Sequence, residues 1–261
     1  MARWIKFLGT AGARFVMMHQ LRSSAGIWYH LEGMNIMVDP GPGTLVKCAH
    51  SRPRLNPTKL DAIILSHKHI DHSTEVNVMI EAMTDGGFKP RGRLFAPRDA
   101  LESDPVVLQY LRAFPEEIVL LQPESTYPLG HQITLRTSPQ HLHPVETYGL
   151  CFELPNQVIG HLVDTAYFDD LAIAYAGVDV LILHVVRFRG EGDKEKRIQH
   201  LNITDAEKII SSVKPRLAVL THFGLSMLKA RPWELAQQLS NRLGIKVVAA
   251  NDGMLLNLDE C

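Results

Sequence analysis

Short apolar runs punctuated by glycine, proline and charged residues set the rhythm of this chain. Ala62-Ile63-Ile64-Leu65 has the length and composition of a buried strand. Val158 to Val163, Val178 to His184 and Leu217 to Leu220 have the same character, and each of these runs gives way to a polar residue. Trp4-Ile5-Lys6-Phe7-Leu8 alternates in part and stops at Gly9-Thr10-Ala11-Gly12, which predicts a strand and a glycine turn. Ala25 to His30 and Asn35 to Val38 read as two strands joined at Glu32-Gly33. Arg93 to Ala96, Glu117 to Leu121, Gln132 to Thr137 and Lys246 to Ala250 complete the predicted strands, the last closing the chain. Helical spacing runs from Glu75 to Met83 before Gly86-Gly87. Ala100 to Phe114 is apolar and helix-like, with Pro105 in a first turn or at a break. Two further helices open near Thr204-Asp205-Ala206-Glu207, a capping-box pattern, and at Arg231-Pro232-Trp233, the latter ending at Gly244. Alternating strands and helices predict an α/β fold.

Composition adds bounds. The chain has 261 residues, 46% hydrophobic and 21% charged, enough for a sizeable core. Neither a linker nor a low-complexity run divides it, so it reads as one domain over 1–261. A net charge of −1 provides no global basic field for nucleic acid. No apolar run reaches membrane-spanning length. Met1 to Leu8 lacks a long apolar segment and a small-residue cleavage site, so a cytoplasmic protein is expected. Cys48, Cys151 and Cys261 show no disulfide or zinc-ribbon spacing.

Chemistry concentrates where the strands end. Directly after Leu65 comes Ser66-His67-Lys68-His69-Ile70-Asp71-His72. Open α/β sheets bind ligands at the carboxyl ends of their strands. Neutral imidazole and carboxylate are good ligands for zinc, manganese or iron. In extended backbone His67 and His69 point the same way and can face one ion, while Asp71 and His72 follow a turn and can face a second. Asp39-Pro40-Gly41-Pro42-Gly43-Thr44 ends one strand and Asp164-Thr165 another. His141 and His143 sit in a segment before Tyr148-Gly149; His184 and His222 end apolar runs; His200 precedes the helix near Thr204. Arg52 and Arg54 flank a loop with His50 that is read as solvent-exposed. His19, His30, His131 and His161 lack partners at ligand spacing and read as core or surface histidines, as do the tryptophans and Met17-Met18 as packing residues.

His-x-His-x-Asp-His after an apolar strand resembles the signature of the metallo-β-lactamase-fold hydrolases, and the likeness extends along most of the chain. Gly41-Pro42-Gly43-Thr44 and Tyr148-Gly149 are similar to the ribonuclease Z and phosphodiesterase branch. That resemblance implies a four-layer αββα sandwich holding two divalent ions, zinc first, with manganese and iron compatible. It implies His67, His69, His143 and Asp164 on one ion and Asp71, His72, Asp164 and His222 on the other. The third histidine is expected at His143, five residues before Tyr148-Gly149, with His141 beside the ligands or facing substrate. Asp39 is expected to orient ligands by hydrogen bonds. A hydroxide between the ions would be the nucleophile, with Asp71 orienting it. His200 corresponds to the family's proton-donating histidine, and His184 stands where relatives carry its acidic partner. The arm that grips tRNA in true ribonuclease Z members lies between the third histidine and the bridging aspartate. Only about twenty residues separate His143 from Asp164 here. The expectation is therefore a smaller phosphodiester or a short RNA. Alternatives are a lactone or acyl ester at the same metals, or a metal-bearing sensor without turnover. Relatives' habits imply a homodimer.

Overall fold

A computed structural model describes residues 2–189 and 198–260. These residues cluster into two compact units. The first comprises Met1–Gly9, Arg22–Gln122 and Asp252–Glu260; the second is built chiefly from Thr10–Leu21 and Pro123–Asn251.

The first unit contains β1 (Trp4–Phe7), β2 (Ile27–Leu31), β3 (Met34–Val38), β4 (Ala62–Ile64), β5 (Arg93–Ala96), β6 (Glu117–Leu120) and β14 (Met254–Asn257). They form one seven-stranded sheet in the order β14-β1-β2-β3-β4-β5-β6. Pairing is antiparallel from β14 to β3 and parallel from β3 to β6. Glu32 and Gly33 both take positive φ between β2 and β3, the two-residue turn that matches strand twist. Helices α2 (Thr44–His50), α3 (Ile70–Ser73) and α4 (Val76–Met83) belong to this unit. Val76, Met79, Ile80 and Met83 form the apolar stripe of α4 and pack in one cluster with Trp28, Met37, Ile63 and Leu94.

The second unit repeats the plan. Its strands are β7 (Thr126–Gly130), β8 (Ile133–Gln140), β9 (Tyr148–Leu154), β10 (Gln157–Leu162), β11 (Val180–His184), β12 (Leu217–Thr221) and β13 (Lys246–Ala249). The sheet runs β13-β12-β11-β10-β9-β8-β7, antiparallel from β7 to β10 and parallel from β10 to β13. Helices α1 (Ala13–Met18), α5 (Ile203–Val213), α6 (Leu225–Lys229) and α7 (Pro232–Leu243) accompany it. Ala206, Ile209 and Ile210 of α5 and Ala236 and Leu239 of α7 cluster with Leu181, Leu183, Ala218 and Leu220.

In each sheet one strand, β3 or β10, is antiparallel to one neighbour and parallel to the other. Asp39 follows the first and Asp164 lies just beyond the second. Each carboxylate thus stands at the carboxyl end of its sheet's switch strand, where ligands of α/β sheets gather.

Four expectations need correction. Ala100 to Phe114 is not an α-helix: 3-10 turns at Arg98–Ala100 and Gln109–Ala113 flank an irregular stretch containing Pro105, which has no N–H for a continuous helix. The box that opens α5 is Asn202 with Asp205, two residues earlier than expected, because Asn202 accepts from Thr204 and Asp205 N–H groups. β13 does not close the chain, since β14 returns to pair with β1. His50 is exposed as expected, yet it ends α2 rather than lying in a loop.

Candidate metal centre

In the first unit the site is assembled around Asp39. Its φ of 51° is left-handed, a conformation that non-glycine residues seldom take. The turn lets its carboxylate face the end of β4. Asp39 Oδ1 accepts from Ser66 N–H (2.7 Å) and Oδ2 accepts from Ser66 Oγ–H (2.6 Å). Oδ2 also accepts from His72 Nδ1–H (3.0 Å). Since Ser66 Oγ spends its proton on Asp39, it accepts from His67 Nδ1–H, 3.0 Å away. Both histidines are therefore held as the tautomer whose Nε2 carries the lone pair, the arrangement a metal-binding imidazole needs. Rings of His67 and His69 have centroids 4.9 Å apart, and those of His67 and His72 4.1 Å. His69 C=O accepts from His72 and Ser73 N–H groups and so starts α3, which carries Asp71 and His72. Asp71 Oδ2 lies 3.6 Å from His72 Nε2. Glu75 accepts from the N–H groups of Gly43 and Leu45 and ties the start of α2 to this segment.

Asp39 thus bonds Ser66 and His72, the contacts that a residue orienting candidate ligands would make. Asp39→Ala should weaken divalent-metal binding about 10- to 100-fold, the range seen when partners of metal ligands are removed. Competition with a fluorescent chelator would measure it, and an unchanged affinity would show that Asp39 is only a turn residue.

In the second unit the gathering point is Asp164, which is 3% exposed. His184 Nδ1 lies 3.0 Å from its Oδ1, His200 Nε2 lies 3.1 Å from its Oδ2, and His222 Nε2 lies 3.4 Å from Oδ1. Burial alone would raise this carboxyl's pKa, but the His222 and His200 charges and the hydrogen bonds from His184 and His200 hold it well below the usual carboxylate range. The donor atoms of His143, Asp164 and His200 lie within 4.8 Å of one another. His143 Nδ1–H donates to Gln199 C=O (3.1 Å), so its Nε2 also presents a lone pair. His141 differs. Its Nδ1–H donates to Asp164 C=O (3.1 Å) and its Nε2 accepts from Tyr175 Oη–H (3.3 Å). Both of its ring nitrogens are engaged, which favours His143 over His141 as the candidate ligand. Burial lowers the His141 pKa to about 4.

His184 stands where relatives carry the acidic partner of His200. The structure instead gives each its own oxygen of Asp164, so His200 does have a carboxylate partner. Arg187 fixes His200 from behind: its Nε–H and an Nη–H both donate to His200 C=O (3.2 and 2.8 Å). Burial and the His222 charge push the His184 pKa well below that of a free imidazole.

Ser66, His161 and Tyr175 are partners of site residues that the sequence reading does not anticipate. His161 Nε2 lies 3.0 Å from His184 Nε2. A histidine inside the apolar run Val158 to Val163 was the available signal. The glycine turn near the N-terminus also acquires a role. Gly12 N–H donates to Phe223 C=O (3.0 Å) and Phe223 N–H donates to Thr10 C=O (2.8 Å), which clamps the turn carrying His222 at φ 60°. A Cβ on Gly12 would overlap the His222 backbone carbonyl. Gly12→Ala should destabilise the protein by about 1–3 kcal/mol, as overpacking does. A thermal unfolding midpoint equal to wild type would show that this turn yields freely.

With fold and site described, the family follows. Residues 34–223 match the family described as "Beta-lactamase superfamily domain". The chain belongs to that family and has the metallo-β-lactamase fold, a mixed α/β architecture with two large sheets. The uncharacterized protein MJ1374 of Methanocaldococcus jannaschii is 30% identical over 97% of this chain and 94% of its own length. Among solved structures, the metallo-β-lactamase fold protein YhfI of Bacillus subtilis superposes with a TM-score of 0.78 at 21% identity, covering 98% of this chain and 99% of that one. A diphosphatase of the PhnP family gives 0.72 at 17% identity over 98% and 97%. The short form of human tRNase Z gives 0.70 at 18% identity over 98% and 99%. The family implies divalent-metal binding, and the histidine and aspartate clusters provide suitable donors. Among the described residues no helix is long and apolar enough to cross a membrane.

Proposed function

We propose that this protein is a metal-dependent phosphodiesterase acting on a small phosphodiester or short RNA. In this reading His67, His69, His143 and Asp164 hold one ion, and Asp71, His72, Asp164 and His222 hold a second. The observation that carries the reading is the donor chemistry. His67, His72 and His143 each give Nδ1–H to an oxygen and keep Nε2 as a lone pair. An imidazole–carboxylate set of this kind suits zinc, with manganese and iron compatible.

Bound divalent ions supply Lewis acidity and the activation of water near neutral pH. The chain's own residues do the rest. Asp39 and Ser66 fix the rings of His67 and His72. Asp71 stands 3.6 Å from His72 Nε2 and is the carboxylate that can orient a water. His200, whose backbone carbonyl bonds Arg187 and whose ring bonds Asp164, would give a proton to a leaving oxygen. The similarity to a diphosphatase and a tRNase Z supports a phosphoryl rather than an acyl substrate. The short span between His143 and Asp164 favours a small one.

Hydrolysis of bis(p-nitrophenyl) phosphate by protein loaded with zinc or with manganese tests the proposal. Turnover that depends on metal and disappears with a chelator is the expected result. Metal-loaded protein that leaves this diester intact but opens a lactone would replace the phosphodiesterase reading with an acyl hydrolase.

A further inference from the structure

His161 and His184 lie on neighbouring parallel strands, β10 and β11. In the parallel register His161 stands beside Ile182, two residues before His184 and so on the same face. Both rings are buried. Their Nε2 atoms are 3.0 Å apart, with ring centroids at 5.0 Å and planes at 66°. Two imidazole nitrogens at that separation share one proton, so one donates and the other accepts. The other nitrogen settles which. His184 Nδ1 lies 3.0 Å from Asp164 Oδ1, and a carboxylate only accepts, so His184 carries its proton on Nδ1. A neutral imidazole has a single N–H, which makes His184 Nε2 the acceptor and His161 Nε2 the donor.

We propose that His161 is a positioning residue for the metal centre: its Nε2–H locks His184 in the Nδ1–H tautomer, making His184 a hydrogen-bond donor to Asp164 instead of a competing metal ligand. The donor atoms of His184 lie within 4.8 Å of those of Asp164 and His222, so His184 is near enough to compete. With both its nitrogens engaged, it is withheld. Its ring also stacks on that of His222, with centroids 4.3 Å apart and planes at 14°. A tautomer change at His184 would therefore reach two ligands together, through Oδ1 of Asp164 and through the face of His222. His161 reaches Asp164 through His184, which bonds both.

The inference rests on the metal-centre reading above, and its test separates the two. Long-range 1H–15N correlation spectra of the chelator-treated protein report the tautomer directly. Wild type should show His184 protonated at Nδ1; a proton at Nε2 would overturn the proposal without any variant. His161→Met removes the donor at similar bulk, while His161→Gln restores an N–H donor. His161→Met should give His184 a mixture of tautomers, weaken cobalt(II) binding about tenfold and shift the visible absorption of the bound cobalt. His161→Gln should return all three towards wild type, a rescue that bulk alone does not produce. Wild-type tautomer and cobalt spectrum in His161→Met would overturn the proposal, and so would two variants equally impaired. If wild type itself bound no cobalt, the metal-centre reading would fail, and the proposal with it.

Discussion

Asp164→Asn is expected to lose its metal and its turnover together, by well over about 10²-fold. Residues that only orient metal ligands already command about 10- to 100-fold in affinity or activity, and a carboxylate proposed to hold both ions should exceed them. Three histidine nitrogens converge on this one side chain, at 3.0, 3.1 and 3.4 Å. Asparagine preserves the shape but not the chemistry. It keeps one acceptor oxygen, loses the negative charge and turns two N–H donors towards rings that themselves donate. Buried donors facing donors cost more than the bonds they replace. The readouts are metal content after dialysis, by elemental analysis, and hydrolysis of the phosphodiester probe, with circular dichroism confirming the fold. Asp164→Asn protein that kept its metal and turned over within tenfold of wild type would remove Asp164 from the centre of this site.

The parts of the fold legible in the sequence are those whose strands are covered on both faces. β4, β11 and β12 are entirely buried and read as unbroken apolar runs. The antiparallel halves were harder to see. β14 alternates between half-buried and exposed positions, and β7 contains Pro128 and is mostly exposed. Both are edge strands that bury little of their length. Helix α2 escaped because it opens after Gly43 in the left-handed region without a side-chain cap. The candidate ligands were legible because each follows a strand end in a recognisable local motif. Their partners were not. Ser66 is adjacent to His67, yet its bond to Asp39 spans 27 residues of chain, and His161 meets His184 across 23. Such contacts depend on strand order and register, which residue patterns do not carry. The reassignment of His184 has the same origin: neighbouring strand ends decided that it bonds Asp164.

Lowering the pH from 6.5 to 4 should cost the metal-free protein about 3 kcal/mol through His141 alone. Its ring is 2% exposed, with Nδ1–H given to Asp164 C=O and Nε2 accepting from Tyr175. Burial is the main reason that its pKa falls to about 4 from an ordinary 6.5, with the nearby His143 adding to the effect; the bond to the Asp164 carbonyl and the Asp164 charge oppose it only in part. In the unfolded chain the ring takes up a proton as the pH drops through about 6.5, while in the folded protein it resists until about 4. Between those values the unfolded state binds more protons, so acid favours unfolding. Below about 4 both states are protonated and the His141 contribution levels off. His184, also held neutral by burial, adds a loss of the same sign. His141→Gln keeps an N–H donor and a carbonyl acceptor but cannot titrate. Urea unfolding in chelator at pH 6.5 and at pH 4 should therefore show wild type losing about 3 kcal/mol more than the variant. Equal losses in the two proteins would mean that His141 takes up its proton in the folded state as readily as in the unfolded chain. The neutral His141 ring between Asp164 and Tyr175 would then have to be abandoned, and with it the argument that selects His143 as the third ligand.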